Sequence, residues 1–327
     1  MIMRKLLFSL IFPAFLTLSC TNERSMESWM KDLPDDMAAC KVSMPGSHDA
    51  ATAGIPLDSP AREFVGTQTF MLGDQFLKGV RCFDLRPGFN PGSTDEFRIM
   101  HSVVDAGVSA DEAVGAIAGM LTAHPSEFAV IVFRIENNDF TPEVLSAAKD
   151  SLSALEKKYY DLGVALDSFR PGLTVADLRG KILFINRNYL ENRFWCGALA
   201  SDWDEGSLLT GRHCAEQVTI DVQDDYEWEN DGPFAEGKTA SFVRHASAFA
   251  NAGSGERWSV NHVSGYFNRE GHPRPHEFAA GVMPLVNKAL DAEASEGSLG
   301  MVLIDYSGDP DYEGDVILKK IVDRNFN

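Results

Sequence analysis

The stretch FAVIVFRIE, residues 128–136, decides how this chain folds. Six apolar residues run together at its start, and Arg134 and Glu136 stand near its end. A short continuous apolar run is typical of a strand buried on both faces, as in a parallel sheet covered by helices. Because side chains alternate along a strand, Val130, Val132, Arg134 and Glu136 share one face. The stretch therefore predicts a buried strand with charge at its carboxyl end.

Four other predicted strands repeat this change from an apolar beginning to a polar end on one face. The residues at these ends are Asp84, Arg86, Arg187, Asp224, Tyr226 and Asp305. One such group is commonly a solvated strand end or a structural ion pair. Repetition on strand after strand instead indicates that the polar ends converge on one opening, where active sites of α/β barrels lie.

The order of predicted elements gives the fold class. Eight candidate strands are CKVSM, RCFDLRP, FRIMHSV, FAVIVFRIE, KILFINR, QVTIDVQ, RWSVNHV and GMVLIDY. Predicted helices cover residues 61–79, 110–125, 141–159 and 275–294. Alternating strands and helices predict parallel pairing, and eight strands predict a single-domain α/β fold, a distorted (β/α)8 TIM barrel.

The distortion is expected between the second and third strands, where residues 88–96 are too short and too rich in turn formers for a helix. The alternative is a doubly wound open sheet. No glycine-rich turn of the dinucleotide-binding kind follows the first strand, which argues against that alternative.

The first twenty residues, MIMRKLLFSLIFPAFLTLSC, have a basic start and then an apolar run too short to span a bilayer as a mature helix. These are features of an export signal, and LTLSC resembles a bacterial lipoprotein cleavage site. We expect a signal peptide at 1–19, a tether at 20–35 lipidated on Cys20, and a catalytic barrel at 36–327. An ordinary signal peptide cut nearby is the alternative. The expected location is the bacterial outer membrane or cell surface, otherwise the periplasm or the medium.

The chain is strongly acidic, with a formal net charge of -19. This charge argues against a nucleic-acid partner and against electrostatic attraction to an anionic membrane. A monomer is expected.

Four cysteines remain beside Cys20, and an exported protein permits disulfides between them. Four cysteines allow three pairings. Cys196 and Cys214, which flank a loop-like stretch, are the preferred pair, and free thiols are the alternative. The cysteine spacing fits no zinc template.

Seven motifs resemble those of the bacterial-type phosphatidylinositol-specific phospholipases C. They are MPGSHD, GVRCFDLR, MHS, HPSEFAVIVFRIE, LRGKILFINR, VQDDY and VLIDY, and they run in order through nearly the whole mature chain. The resemblance implies a distorted TIM barrel that acts on phosphatidylinositol. The inositol 2-hydroxyl attacks the phosphodiester, which releases diacylglycerol and leaves inositol 1,2-cyclic phosphate, and water then opens that ring more slowly.

By the resemblance, His48 is the general base held by Asp305, and His101 is the general acid coupled to Asp49. A secondary hydroxyl needs a base to attack, and the diacylglycerol oxygen needs an acid to leave. Histidine suits both tasks because its pKa lies near neutral pH.

Arg86, oriented by Asp84, resembles the fixed cation that this family places against the charged transition state. Eukaryotic relatives hold calcium in this region. Because an arginine cannot ligate a metal, FDLR predicts catalysis without a cofactor.

The resemblance assigns the inositol ring to Arg134, Glu136, Arg187 and Asp224, with Tyr226 stacked on the ring face. Two positions depart from the family pattern. Arg134 stands where the bacterial members have lysine, and the residue after His101 is Ser102 in place of glycine. Five histidines show no partner pattern and are expected mostly at the surface: His213, His245, His262, His272 and His276.

The expected partner is phosphatidylinositol or a related inositol phospholipid in a membrane, and the candidate membrane contacts are Ile55, Leu57, Phe64 and Trp258. Two other functions stay open. A surface lipoprotein that binds inositol lipids or glycans with little turnover would need neither acid nor base. A glycerophosphodiesterase-like hydrolase would need an acidic metal cluster, and Arg86 argues against one.

Overall fold

Nine strands close into one barrel in a computed structural model that describes residues 24–89, 97–136, 141–200, 202–203, 208–229, 232–252, 256–292 and 297–326. In chain order the strands are β1 (Met44–Ser47), β2 (Cys82–Leu85), β3 (Pro87–Phe89), β4 (Phe97–His101), β5 (Val104–Ser109), β6 (Ala129–Phe133), β7 (Ile182–Asn186), β8 (Ala198–Ala200), β9 (Leu208–Gly211), β10 (Gln217–Gln223), β11 (Glu227–Trp228), β12 (Arg257–His262), β13 (Tyr266–Arg269), β14 (His272–Pro273) and β15 (Met301–Ile304). The barrel order is β1–β15–β12–β10–β9–β8–β7–β6–β2, and β2 closes on β1.

The helices are α1 (Arg62–Val65), α2 (Leu72–Leu77), α3 (Ala110–Ala123), α4 (Pro142–Asp161), α5 (Val175–Leu178), α6 (Phe234–Ala250), α7 (Pro275–Ala292) and α8 (Gly314–Asp323). Local signals explain where the long ones begin. The Ser109 side chain and Glu112 form a reciprocal capping box on α3, and Thr141 caps α4 ahead of a proline at its first turn. None of the helices in the described ranges combines the length and apolar character that crossing a bilayer requires.

Barrel strands pair in parallel except around β9, which runs antiparallel to β8 and β10. Two small sheets lie outside the barrel. One holds β3, β4 and β5, all antiparallel, and the other holds β11, β13 and β14.

Alternation along the barrel strands divides the core into two layers. On β2, Cys82 belongs to the cluster that fills the barrel, whereas Phe83 and Leu85 belong to the cluster beneath the helices. On β6, Val130 and Val132 likewise belong to the inner cluster. The inner face of each strand thus begins apolar and ends at the barrel mouth, as the sequence predicted.

The predicted α/β barrel is confirmed, but its strand list needed correction. FRIMHSV, expected as the third barrel strand, forms β4 and the following turn in the outer antiparallel sheet. That placement agrees with the predicted irregularity after the second strand. The loop-like stretch between the last two cysteines contains β8 and β9, which complete the barrel. Residues 90–96 of the short link lie outside the described residues.

The helix predicted over residues 61–79 is also corrected, because it is broken into α1 and α2. The break has a physical reason. Thr67 and Gln68 are buried, and the Gln68 side-chain amide donates to the carbonyls of His48 and Ile304 at 2.8 and 3.1 Å. In an uninterrupted helix, the Gln68 side chain could not make these hydrogen bonds at the end of β1. Helices α5, α6 and α8 were not predicted.

All four cysteines of the described residues are free thiols, so the preferred Cys196–Cys214 pairing was wrong. Cys196 is buried, and its Sγ lies 3.9 Å from the carbonyl oxygen of Glu156. The Sγ of Cys214 instead lies 3.2 Å from the carbonyl oxygen of Glu216. Cys20 and the predicted signal peptide lie outside the described residues.

The described part of the expected tether is folded onto the barrel. A 3-10 helix at Met26–Asp32 buries Trp29 and Met30 completely. The Trp29 indole donates to the carbonyl of Gly79 at 3.0 Å, and the Met30 N–H donates to the carboxylate of Glu127 at 3.1 Å. Because these two partners precede β2 and β6, the N-terminal segment covers the end of the barrel opposite the mouth. The folded body therefore begins before residue 36.

Candidate active site

The predicted base lies at the carboxyl end of two adjacent strands. Ser47 on β1 pairs with Ile304 on β15, so the next residues, His48 and Asp305, stand side by side. His48 Nδ1 and Asp305 Oδ1 are 2.8 Å apart. A nitrogen that faces a carboxylate carries the proton, which leaves Nε2 of the neutral ring as the proton acceptor.

Charge around His48 favours its protonated form. Burial alone would lower the pKa of His48, but the carboxylates of Asp49 and Asp305 outweigh it and raise the pKa to about 9. Burial raises the pKa of Asp305. Arg86 Nη2 also lies 2.9 Å from His48 Nε2 and can donate to it only when that nitrogen is unprotonated. The two carboxylates thus favour the imidazolium, whereas Arg86 favours the neutral ring that can act as the base.

Arg86 is held by two carboxylates at the end of β2. Its Nε lies 2.6 Å from Asp49 Oδ1, and its Nη2 lies 3.1 Å from Asp84 Oδ2. Burial opposes the charged forms, but the mutual attraction prevails: it raises the pKa of Arg86 and lowers the pKa values of Asp49 and Asp84. The guanidinium is therefore permanently charged and fixed beside the base.

The same carboxylates could in principle hold a metal ion. His48, Asp49 and Asp84 each offer a ligand atom, and these atoms lie within 4.8 Å of one another. The guanidinium of Arg86 already contacts both carboxylates at 2.6 and 3.1 Å. A divalent ion on this set would have to displace a paired cation, so the residues present do not fit a metal.

The predicted acid sits outside the barrel wall. His101 ends β4 in the outer sheet, and its Nδ1 donates to the carbonyl of Val65 at 2.8 Å. Its distance to Asp49 Oδ2, the partner expected from the resemblance, is 3.6 Å. Val65 is therefore the direct hydrogen-bond partner, and Asp49 lies between the acid and Arg86.

Two of the predicted inositol ligands lie together. Arg187 Nη1 is 3.8 Å from Asp224 Oδ2, and the Arg187 guanidinium lies 4.3 Å from the ring centroid of Trp203. Burial lowers the pKa of Arg187 to about 10, against the attraction of Asp84 and Asp224. The indole of Trp203 also donates to Asp224 at 3.2 Å. Trp203 is a site residue that the sequence did not indicate.

The other predicted ligands are more open. Tyr226 is 51% exposed, and its ring centre lies 6.1 Å from that of Tyr266. Arg134 is half-buried beyond β6. Glu136 accepts a hydrogen bond from the backbone N–H of Ser102 at 3.0 Å, so one of its oxygens faces the hairpin that carries His101.

His262 belongs to the site, although the sequence was interpreted as placing most such histidines at the surface. It is 1% exposed at the end of β12, its ring centre is 5.6 Å from that of His48, and its Nδ1 is 3.7 Å from Asp224. Burial lowers the pKa of His262 to about 4, so the ring is neutral. The alternation that selected the other strand ends also places His262 on the face of Trp258 and Val260.

Lys238 is a further buried residue that sequence reasoning missed. From α6 its ammonium donates to Gln223 at 3.1 Å and to the carbonyl of Asp225. Burial lowers the pKa of Lys238 to about 8. These hydrogen bonds fix the loop that carries Asp224 and Tyr226. The one signal in the sequence is the position of the lysine one turn into α6, and that helix was not predicted.

Comparison with known proteins finds bacterial 1-phosphatidylinositol phosphodiesterases among the relatives of this chain. The 1-phosphatidylinositol phosphodiesterase of Staphylococcus aureus strain Newman is 23% identical over 313 residues, 92% of this chain and 95% of that protein. The 1-phosphatidylinositol phosphodiesterase of Listeria monocytogenes is 23% identical over 244 residues, 74% of this chain and 69% of that protein. No protein-family model matches the chain.

Among solved structures, a phosphatidylinositol-specific phospholipase C from Staphylococcus aureus with incorporated pentafluoro-phenylalanine superposes with a TM-score of 0.72 at 20% identity, covering 93% of this chain and 98% of that one. A match of this identity establishes the fold. The resemblance predicted from the seven motifs is confirmed: this chain is similar in sequence to bacterial 1-phosphatidylinositol phosphodiesterases and shares the barrel fold of a phosphatidylinositol-specific phospholipase C.

Proposed function

We propose that this protein cleaves phosphatidylinositol to diacylglycerol and inositol 1,2-cyclic phosphate. The observation that carries the proposal is the arrangement of charged groups at the barrel mouth. Three side chains surround the carboxylate of Asp49: His48, Arg86 and His101. His48 is also hydrogen-bonded to Asp305. A site built only for binding would need neither a buried base nor a second histidine on its far side.

In the proposed reaction the inositol 2-hydroxyl gives its proton to Nε2 of His48 as its oxygen attacks phosphorus. The bond from phosphorus to the diacylglycerol oxygen breaks, and that oxygen takes the proton from Nε2 of His101. His101 must enter this step as the imidazolium, with a proton on each ring nitrogen, because its Nδ1 already donates to Val65. Asp305 stabilises the imidazolium formed on His48. A bound phosphate attracts Arg86, and the guanidinium then leaves His48 Nε2 open to the hydroxyl.

We propose that no metal takes part. The positive charge that the transition state needs is already supplied by Arg86, which is ion-paired with Asp49 and Asp84. Slower hydrolysis of the cyclic product would use the same residues, with water replacing diacylglycerol and His101 acting as the base.

The lipid is expected to approach a partly apolar rim. Leu57 and Val103 are 86% and 79% exposed, and they follow β1 and the His101 strand at the mouth. Two expected contacts were wrong, because Ile55 and Trp258 are buried. Phe64 is half-buried and stacks on His272 at 4.8 Å between ring centres. Leu57 and Val103 are the residues we propose to touch the membrane.

The location of the protein stays a proposal from its N-terminal sequence. We propose export, with lipid attachment at Cys20 and residence in the outer membrane or at the cell surface. The lipid on Cys20 would then anchor the protein whether or not its active site is bound to the membrane that contains the substrate.

The deciding experiment is phosphorus NMR of the purified protein with phosphatidylinositol in detergent micelles and excess chelator. A cyclic inositol phosphate signal is the expected result, and the signal should disappear with His48→Ala. Product only after calcium or magnesium is added would overturn the role proposed for Arg86.

Two outcomes would support the other readings. Headgroup binding without turnover under any condition would favour an inositol-binding lipoprotein. Turnover of glycerophosphodiesters without a cyclic intermediate would favour a glycerophosphodiesterase-like hydrolase. His48→Asn, compared with His245→Asn as a matched control, separates a site effect from a general loss, because His245 lies on α6 and contacts Ser259 at 3.0 Å.

A further inference from the structure

The strand that carries His101 depends on contacts outside its own sheet. His101 and Val104 pair at the end of the β4–β5 hairpin, and Ser102 and Val103 form its tip. β4 pairs with β3 only as far as Ile99, so beyond that residue the tip has β5 as its one strand neighbour. A hairpin tip attached only by its own turn is among the more mobile parts of a fold.

The tip also has a strained backbone. Ser102 has a φ of 54°, in the left-handed region that glycine adopts freely and serine does not. Such a conformation persists where neighbouring contacts hold it. The contact here is the backbone N–H of Ser102, which donates to Glu136 Oε1 at 3.0 Å.

Glu136 is itself attached to the barrel. It follows β6, and its own N–H donates to the carbonyl of Pro87 at 2.9 Å. The preceding N–H, that of Ile135, donates to the side chain of Asn188 at 3.0 Å. The carboxylate therefore joins the hairpin tip to the end of a barrel strand.

A second contact fixes the ring of His101 from the other side. Its Nδ1 donates to the carbonyl of Val65, so Nε2 is the nitrogen left for the leaving oxygen. Val65 orients the ring, whereas Glu136 holds the backbone of the next residue. Both contacts are needed to define where Nε2 points.

We propose that Glu136 is a positioning residue for the general acid, holding the Ser102 turn so that His101 Nε2 meets the diacylglycerol oxygen. This inference rests on the proposed function and deepens it, because the resemblance assigns Glu136 only to the inositol ring. Its other oxygen, Oε2, accepts no hydrogen bond from the described residues and remains for an inositol hydroxyl. One carboxylate would then link headgroup binding to placement of the acid.

The test exploits the leaving group. Diacylglycerol leaves as an alkoxide and needs the acid, whereas nitrophenolate is stable without a proton. We would measure kcat and KM for Glu136→Ala on phosphatidylinositol and on nitrophenyl inositol phosphate. The expected result is a loss in kcat of about 100-fold on the lipid and about tenfold on the nitrophenyl ester.

Two further variants interpret that difference. Glu136→Gln keeps an oxygen for the Ser102 N–H and should restore most of the lipid-specific loss. Asp224→Asn is the matched control, because loss of a ring ligand alone should lower activity on both substrates by the same factor. In a His101→Ala background, Glu136→Ala should show no additional preference for the nitrophenyl ester.

Equal losses on both substrates would overturn the inference and leave Glu136 as a ring ligand only. Lipid-specific loss that persists without His101 would overturn it too. Failure of the proposed function is distinguishable, since the wild-type protein would then turn over neither substrate. Circular dichroism of each variant checks that a loss of activity is not a loss of fold.

Discussion

The two proposed proton-transfer groups are built in different ways. His48 and Asp305 extend from adjacent parallel strands of the barrel, and their 2.8 Å contact follows directly from the pairing of β1 with β15. His101 extends from a hairpin outside the barrel, where its partners are the carbonyl of Val65 and the more distant Asp49. Barrel geometry therefore positions the base, whereas loops and a hairpin position the acid.

This difference has a consequence for variation. A base fixed by strand register cannot move without disturbing the barrel. An acid fixed by a turn can tolerate a change such as serine for glycine at residue 102, provided that another contact holds the turn. The experiments below compare the two sides, beginning with the largest effect.

Removal of each histidine should separate the two sides most strongly. We expect His48→Ala to lower kcat by about 10⁴-fold on both the lipid and a nitrophenyl ester, since attack needs the base whatever the leaving group. His101→Ala should cost about 10³-fold on the lipid and much less on the ester. Stopped-flow or radiolabel assays measure both; equal losses for His101→Ala would contradict its role as acid.

The partners of the two histidines should differ in importance. Asp305→Asn removes a direct hydrogen-bonding carboxylate and should lower kcat by about 10² to 10⁴-fold. Asp49→Asn disturbs Arg86 and His101 together, so its loss of kcat should be larger on the lipid than on the nitrophenyl ester. The control is Asp311→Asn, a carboxylate on the short 3-10 helix Pro310–Tyr312 before α8. A leaving-group response unchanged from wild type in Asp49→Asn would separate Asp49 from the acid.

The charge on His48 should link stability to pH. Its pKa is raised to about 9 in the folded protein, against about 6.5 when unfolded. Proton binding therefore stabilises the fold fully below about pH 6.5, and this contribution, about 3 kcal/mol, is lost as pH rises through about 9. Urea unfolding at pH 6 and pH 10 should show a smaller decrease for Asp305→Asn than for wild type.

NMR of the imidazole ring measures the pKa of His48 directly. We expect the His48 resonance to titrate near pH 9 in wild type and at lower pH in Asp305→Asn. An identical titration in both proteins would show that Asp305 does not raise the pKa of His48.

The smallest effect concerns the hairpin tip. Ser102→Gly should relieve the backbone strain at a φ of 54° and stabilise the protein by about 1 kcal/mol. Because Glu136 would still hold the turn, kcat should change by less than about threefold. Thermal unfolding measures the gain, and a loss of stability would show that the serine side chain contributes contacts of its own.

The sequence could place Asp305 and the other polar strand ends because alternation and strand order are local signals, whereas the role of His48 as base came from the resemblance. Val130, Val132 and Arg134 identify an inner face from spacing alone, and the same rule applied to β12 would have found His262. The acid side depended on resemblance, because nothing in FRIMHSV distinguishes a barrel strand from an edge hairpin. Contacts such as Val65 with His101, or Lys238 with the β10 loop, join different elements of the fold and have no local signal in the sequence.

Errors in prediction also have physical causes. The break between α1 and α2 was missed because the helical spacing of the sequence continues through this segment. The structure instead uses side chains of the segment for hydrogen bonds at the end of β1. Strands β8 and β9 have only three and four residues, too few to show alternation. The Cys196–Cys214 pairing rested on separation along the chain, which says nothing of where the two thiols point.

The packing of Trp29 and Met30 determines which end of the barrel lies next to the N-terminal segment. These residues close the end of the barrel opposite the mouth, and Arg24, whose guanidinium lies 2.8 Å from Asp32, is at that far end. A lipid on Cys20 would be at most about 14 Å of extended chain from Arg24. Under the proposed anchoring, the mouth would face away from the membrane that holds the protein, and its substrate would come from an opposing bilayer or from lipid delivered to it.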